Sequence, residues 1–239
     1  MSIYGLLHEA YEVPHVVQAA VLAIVLLMAG SLVVRRQLAV AGGGVVPDEG
    51  VSLRNTVEVL VDALVGMARD LMGDDWRRYF PVVGSIFVFV FLSNLLGLVP
   101  GVGGATSDVN TTTAWAIISF LVYNYIGVKT HGWKYIYQFM GPVLWHAKIG
   151  GKEYHVRVLA PFMLLLEIPL HLARVATLSI RLLANMFADH TVVTVWLGLV
   201  PPLVPAIFMG LGLVIAFLQA FVFALLTMIY INMAQAEAH

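Results

Sequence analysis

"RVLAPFMLLLEIPLHLARVATLSIRLLANMFADHTVVTVWLGL", residues 157–199, decides the fold of this chain. It is a mostly apolar run without a glycine before Gly198. As one helix it would stretch ~64 Å, about twice the ~30 Å hydrocarbon core of a bilayer. Residues 203–233 form a second apolar run, ~46 Å long by the same rise. The connection "LVPPLVP" (199–205) is short enough that the two runs must fold back as an antiparallel hairpin. Such a hairpin has to tilt steeply, kink at Pro161 or Pro169, or extend beyond the bilayer.

Lipid as the solvent also follows from the composition. The chain has 239 residues, 60% hydrophobic and 11% charged, whereas soluble domains run nearer half apolar and a quarter charged. The excess must face lipid, which makes this an all-α integral membrane protein forming a single membrane domain. A net charge of −1 argues against nucleic acid as a partner, and the absence of cysteine excludes disulfides and thiolate metal sites. No metal and no cofactor are expected. Glu9 and Glu12, with no Lys or Arg before them, are unlike a cleaved signal peptide, so the first apolar run is expected to be retained.

Runs of about 20 apolar residues read as spanning helices. Residues 14–34 form the first, ended by Arg35-Arg36, with "AGGGVVPDEG" as a loop after it. In 51–72, Val57, Leu60, Val61, Leu64 and Ala68 recur at helical spacing, with Arg54, Glu58, Asp62, Arg69 and Asp70 on the other side. That is an amphipathic helix suited to the inner membrane surface. Residues 80–99 and 111–128 are the second and third spans, and "YQFMGP" between 129 and 154 suggests a short interfacial piece. Segments 157–199 and 203–233 complete about five membrane-embedded helices. Eleven of the thirteen Lys and Arg residues fall in 35–78 or 129–157. By the positive-inside rule those stretches are cytoplasmic, with the N-terminus outside and the C-terminus inside.

The two basic residues left over, Arg174 and Arg181, lie within the fourth span. Glu167, His171, Arg174, Leu178, Arg181 and Asn185 recur every three or four residues and so share one helix face. His190 points to the opposite face and Asp189 between the two. The facing segment offers Gln219 and, eleven residues on, Tyr230. An Arg at the centre of a bilayer costs ~2.5–3.5 kcal/mol on insertion scales, and such residues face a protein interior or a polar path. Plainer readings stand beside these. Arg174 and Glu167 suit a structural ion pair or a snorkelling cation. His171 and His190 suit hydrogen-bonded interior histidines, Gln219 helix–helix glue, and Asn94 helix packing. Arg181, 24 residues past Arg157, lies beyond easy reach of the inner surface.

"EIPLHLARVATLSIRLLANMFADH" (167–190) followed by "LQAFVFALLTMIYINMA" (218–234) closely resembles subunit a of F-type ATP synthases. "FLSNLLGLVPG" (91–101) and "SDVNTTTAWAI" (107–117) look like that family's second and third spans. The resemblance implies a non-catalytic, ion-translocating stator. It would work against a ring of c subunits, each with one buried carboxylate, and would move H⁺ or Na⁺ through two half-channels. It also implies a b-subunit peripheral stalk and other ATP synthase subunits as partners, in a bacterial inner membrane. It places the family's essential arginine at Arg181, its glutamine at Gln219, its asparagine at Asn185 and its inner acidic residue at Glu167. Two positions depart. The family's outer carboxylate–histidine pair is represented by His190 alone, because the matching position on the last helix is Gly212. A polar, often acidic, position in the second span is Gly97. The outer route then falls to His190, Asp189 and Asn94.

Two other classes compete. An independent secondary transporter or channel is disfavoured by the lack of internal repeats. An intramembrane hydrolase on Glu167, His171, Asp189 and His190 has a metal-like i,i+4 spacing, but the two arginines nearby would repel a cation.

Overall fold

The structure is a computed structural model that describes residues 15–40, 53–99, 104–135, 145–149, 152–156, 160–199 and 203–235. The loop expected at 41–50 and the interfacial "YQFMGP" lie outside the described residues. Among the described residues, six long helices run in the order α1 (His15–Val40), α2 (Leu53–Met72), α3 (Trp76–Gly97), α4 (Val109–His131), α5 (Ala160–Leu199) and α6 (Leu203–Gln235). Short 3₁₀ turns at Gly73–Asp75, Ala105–Ser107 and Gly132–Lys134 punctuate them. Among the described residues, five helical runs are long and apolar enough to cross a membrane, α2 and α3 counting as one continuous run.

Helix ends follow local chemistry. α1 continues through Arg35 and Arg36, because charge ends an apolar stretch without ending a helix in which Arg is a good former. Asp108 caps α4, its carboxylate accepting from the Asn110 N–H at 2.7 Å. Gly132, at φ 59°, stops that helix. α5 runs 40 residues and α6 33 without interruption, roughly 60 and 50 Å at 1.5 Å per residue. Neither fits upright in ~30 Å of hydrocarbon, so the hairpin lies aslant or overruns it. Trp196 stacks on Phe208 near its tip, with ring centroids 5.5 Å apart.

One feature lies outside the helical expectation. β1 (Trp145–Ile149) pairs antiparallel with β2 (Lys152–Val156), Ile149 opposite Lys152. In the sequence only Gly150-Gly151 separates the strands, a pair suited to a two-residue hairpin turn.

The core gathers around α6, which packs against α3, α4, α5 and α2. Its buried stripe is mostly small at one end (Ala216, Ala220, Ala224) and larger towards the other (Met228, Ile231). Small residues let helix backbones approach closely in lipid, where apolar burial drives nothing. Hydroxyl pairs tie the helices across these contacts. Ser119 meets Thr227 at 2.9 Å, and Thr113 meets Ser179 at 2.9 Å. Among the described residues of α2 only Leu64, Ala68 and Met72 are buried, and Val57 and Val61 of the expected stripe are exposed.

Among the described glycines, Gly104 makes the tightest backbone junction. A Cβ there would lie 2.7 Å from the Ser93 carbonyl oxygen and 2.9 Å from the Gly97 Cα, neither of which can move aside as a side chain would. Gly104→Ala should therefore cost ~1–3 kcal/mol of stability, as overpacked sites do. Gly210→Ala, with nothing within 4 Å, should be near neutral. Thermal midpoints of the two detergent-solubilised variants check this.

Candidate functional site

The polar residues of the hairpin fall into three groups along α5. Towards its N-terminal end, Glu167 and His171 face each other, Oε1 to Nδ1 3.4 Å. One turn on, the Arg174 guanidinium lies 5.0 Å from the centre of the Tyr230 ring on α6, a cation–π contact. A cavity of about 40 Å³ sits among them, with Tyr123 and Tyr135 closing it on the α4 side. That is room for roughly two or three waters. The cavity joins α4, α5 and α6, so Glu167, His171 and Arg174 share one polar compartment. Its tyrosines carry no periodic signal in the sequence, because they come from a neighbouring helix and from the segment beyond it.

Midway along α5, Asn185 Nδ2 donates to Gln219 Oε1 at 2.8 Å. Gln219 is 5% exposed, and its own Nε2 is buried without a hydrogen-bond partner among the described residues. Arg181 is half-buried one turn before Asn185. Among the described residues no carboxylate pairs with it. The flank beyond these groups is open: Ile180 is 61% and Phe187 70% exposed, and Ala173, Ala176, Ala184 and Ala188 are exposed between and beside them. An apolar flank edged by an unpaired cation and an unsatisfied amide donor is incomplete by itself.

Towards the C-terminal end of α5, Asp189 and His190 are both half-buried. The Asp189 carboxylate faces Gly212 of α6: a Cβ on that glycine would lie 3.7 Å from Asp189 Oδ2. It would also meet Leu98 Cδ2 at 2.5 Å. The missing side chain at 212 is thus matched by an acid reaching towards it from α5. Around Gly97, the Met186 methyl fills the place a Cβ would take.

Asn94 lies apart from these groups. It is 1% exposed, accepts from Thr106 Oγ1 at 2.7 Å and donates to the Ala216 carbonyl at 3.5 Å. It bolts the Ala105–Ser107 turn and α3 to α6, one turn from Gln219. Nothing in the sequence marks Thr106, since a threonine in a turn is ordinary. Among the described residues no three His, Asp or Glu side chains converge to hold a metal ion, so Glu167 and His171 stand as a pair.

A sequence model of the family described as ATP synthase A chain matches residues 16–232. ATP synthase subunit a 3 of Pelobacter propionicus is 40% identical over 91% of this chain and 86% of its own length. ATP synthase subunit a of Trichlorobacter lovleyi is 39% identical over 90% of this chain and 85% of its own length. ATP synthase subunit a 1 of Syntrophotalea carbinolica is 38% identical over the whole chain and 92% of its own length.

Proposed function

The chain belongs to the ATP synthase A chain family, the ion-translocating stator subunits of F-type ATP synthases, and we propose that Arg181 is the charge past which its ions are exchanged. It is a membrane protein whose partners are membrane-sector subunits of that complex. The specific partners in this reading are a c-subunit ring against the open flank of α5 and a b-subunit stalk.

The observation that carries the proposal is the half-buried Arg181, without a carboxylate of its own chain among the described residues, beside the Asn185–Gln219 pair. A cation at that depth needs an anion from elsewhere. A ring carboxylate supplies it. Moving through lipid, that carboxylate must be neutral, because an unpaired buried charge is too costly. Beside the guanidinium its ionised form is favoured and it releases its proton. Guanidinium does not give up its own proton in proteins, so it cannot pass one across and short-circuit the two routes. Gln219 Nε2 is positioned to donate to the same carboxylate.

Glu167, His171 and Arg174 around the inner cavity form the inner route in this scheme. Asp189 and His190 form the outer one, with Asn94 holding its wall. The Asp189–Gly212 juxtaposition supports giving Asp189 the part of the outer acid. The coupling ion is H⁺, or Na⁺ by the same electrostatics. We place the N-terminus outside and the C-terminus in the cytoplasm of a bacterial inner membrane, on the strength of the basic-residue asymmetry.

Arg181→Ala should abolish ATP synthesis driven by an imposed proton gradient, while membranes stripped of the catalytic head still leak protons. Arg181→Lys should fail almost as completely. A buried ammonium can lose its proton and lacks the rigid fork that meets a carboxylate and an amide together. Near-normal synthesis with Ala would sink the mechanism. Orientation is checked separately: a cysteine at the exposed Ser107 should label from outside intact cells, and one at the exposed Lys134 only from within. The opposite pattern would exchange the two routes.

A further inference from the structure

Beyond α4 the chain turns at Gly132, in a conformation glycine adopts freely. Trp133 then projects outwards, 89% exposed, while Tyr135 folds back and is 6% exposed. Its ring occupies a socket on α4 that exists because residue 127 is glycine. Two ring atoms lie 2.6 and 2.8 Å from the point a Cβ on Gly127 would take. Its hydroxyl donates to Asn124 Oδ1 at 3.1 Å. The other side of Tyr135 is wall to the cavity that holds Glu167, His171 and Arg174. A hinge glycine, a socket glycine and a hydrogen-bond latch therefore meet on one aromatic ring at the edge of a water-sized polar cavity.

We propose that Tyr135 is the gate of this cavity, a positioning residue whose seating on Gly127 and latch to Asn124 limit access from the inner face to Glu167 and His171. The inference rests on the inner-route reading of those residues. Rotation of the ring off Gly127 takes away one wall of the cavity and breaks the latch at Asn124. Burial pushes the phenol up to about 12, so Tyr135 stays neutral at working pH and acts by blocking space, not by carrying protons itself.

The chain has no cysteine, so His171→Cys in the assembled synthase reports access to the cavity. Inverted vesicles present the inner face to a membrane-impermeant thiol reagent, and labelling is read on this chain. Tyr135→Phe and Asn124→Ala should each speed labelling roughly fivefold, the shift that losing one ordinary hydrogen bond gives. Together they should do no more than either alone, because they remove the same latch. Gly127→Ala, which unseats the ring, should act at least as strongly. Equal rates in all backgrounds, with position 171 still labelled, would overturn the gate and leave the inner route standing. No labelling of position 171 in any background would overturn both. A cysteine at Ser119, buried between α4 and α6, tests for general loosening. Labelling there that rises by the same factor would also overturn the gate.

Discussion

A guanidinium near the middle of a 40-residue apolar helix is the constraint on which the rest of the structure depends. It costs free energy wherever lipid surrounds it. The chain leaves it half-buried on α5, one turn before Asn185, whose amide pairs with Gln219 across the hairpin. Had Glu167 or Asp189 paired with Arg181, the cation would be satisfied within the chain and inert towards any other carboxylate. Instead Glu167 sits with His171, and Asp189 faces Gly212. The separation is built into the helix: one lies fourteen residues before Arg181 and the other eight after it.

Packing keeps that separation rigid. The small residues of α6 bring α3 and α5 close, and Gly97, Gly104 and Gly212 admit Met186 and Leu98 where side chains would collide. Apolar surface drives no association in lipid, so fit and hydrogen bonds carry the specificity. The Ser119–Thr227, Thr113–Ser179 and Thr106–Asn94 pairs fix the register of neighbouring helices. With register fixed, the cavity around His171 and the amide pair at Asn185 keep their places along α5.

What periodicity carries, the sequence alone makes legible. The long hairpin follows from two overlong apolar runs, and the shared face of Glu167, His171, Arg174, Arg181 and Asn185 from their spacing. Contacts between distant segments are not legible in this way. Nothing local marks Tyr135 as folded back onto Gly127, or Thr106 as the partner of Asn94. Gly212 reads as a lost side chain, yet its neighbour across the hairpin is the Asp189 carboxylate. The β1–β2 ribbon did leave a signal, Gly150-Gly151 between two short segments, which the surrounding basic and aromatic residues obscure. On α2, helical spacing groups Val57 and Val61 with Leu64 and Ala68, but only the latter two are covered by the helices that happen to lie there.

The central claim is that Arg181 selects the charge state of the carboxylate beside it. Infrared titration of the carboxyl groups in the assembled membrane sector, with and without Arg181→Ala, tests it most directly. The account predicts that the unaltered assembly keeps one carboxyl per ring ionised at a pH where the others are protonated, and that Arg181→Ala protonates it with the rest. Identical titrations of the two assemblies would contradict it.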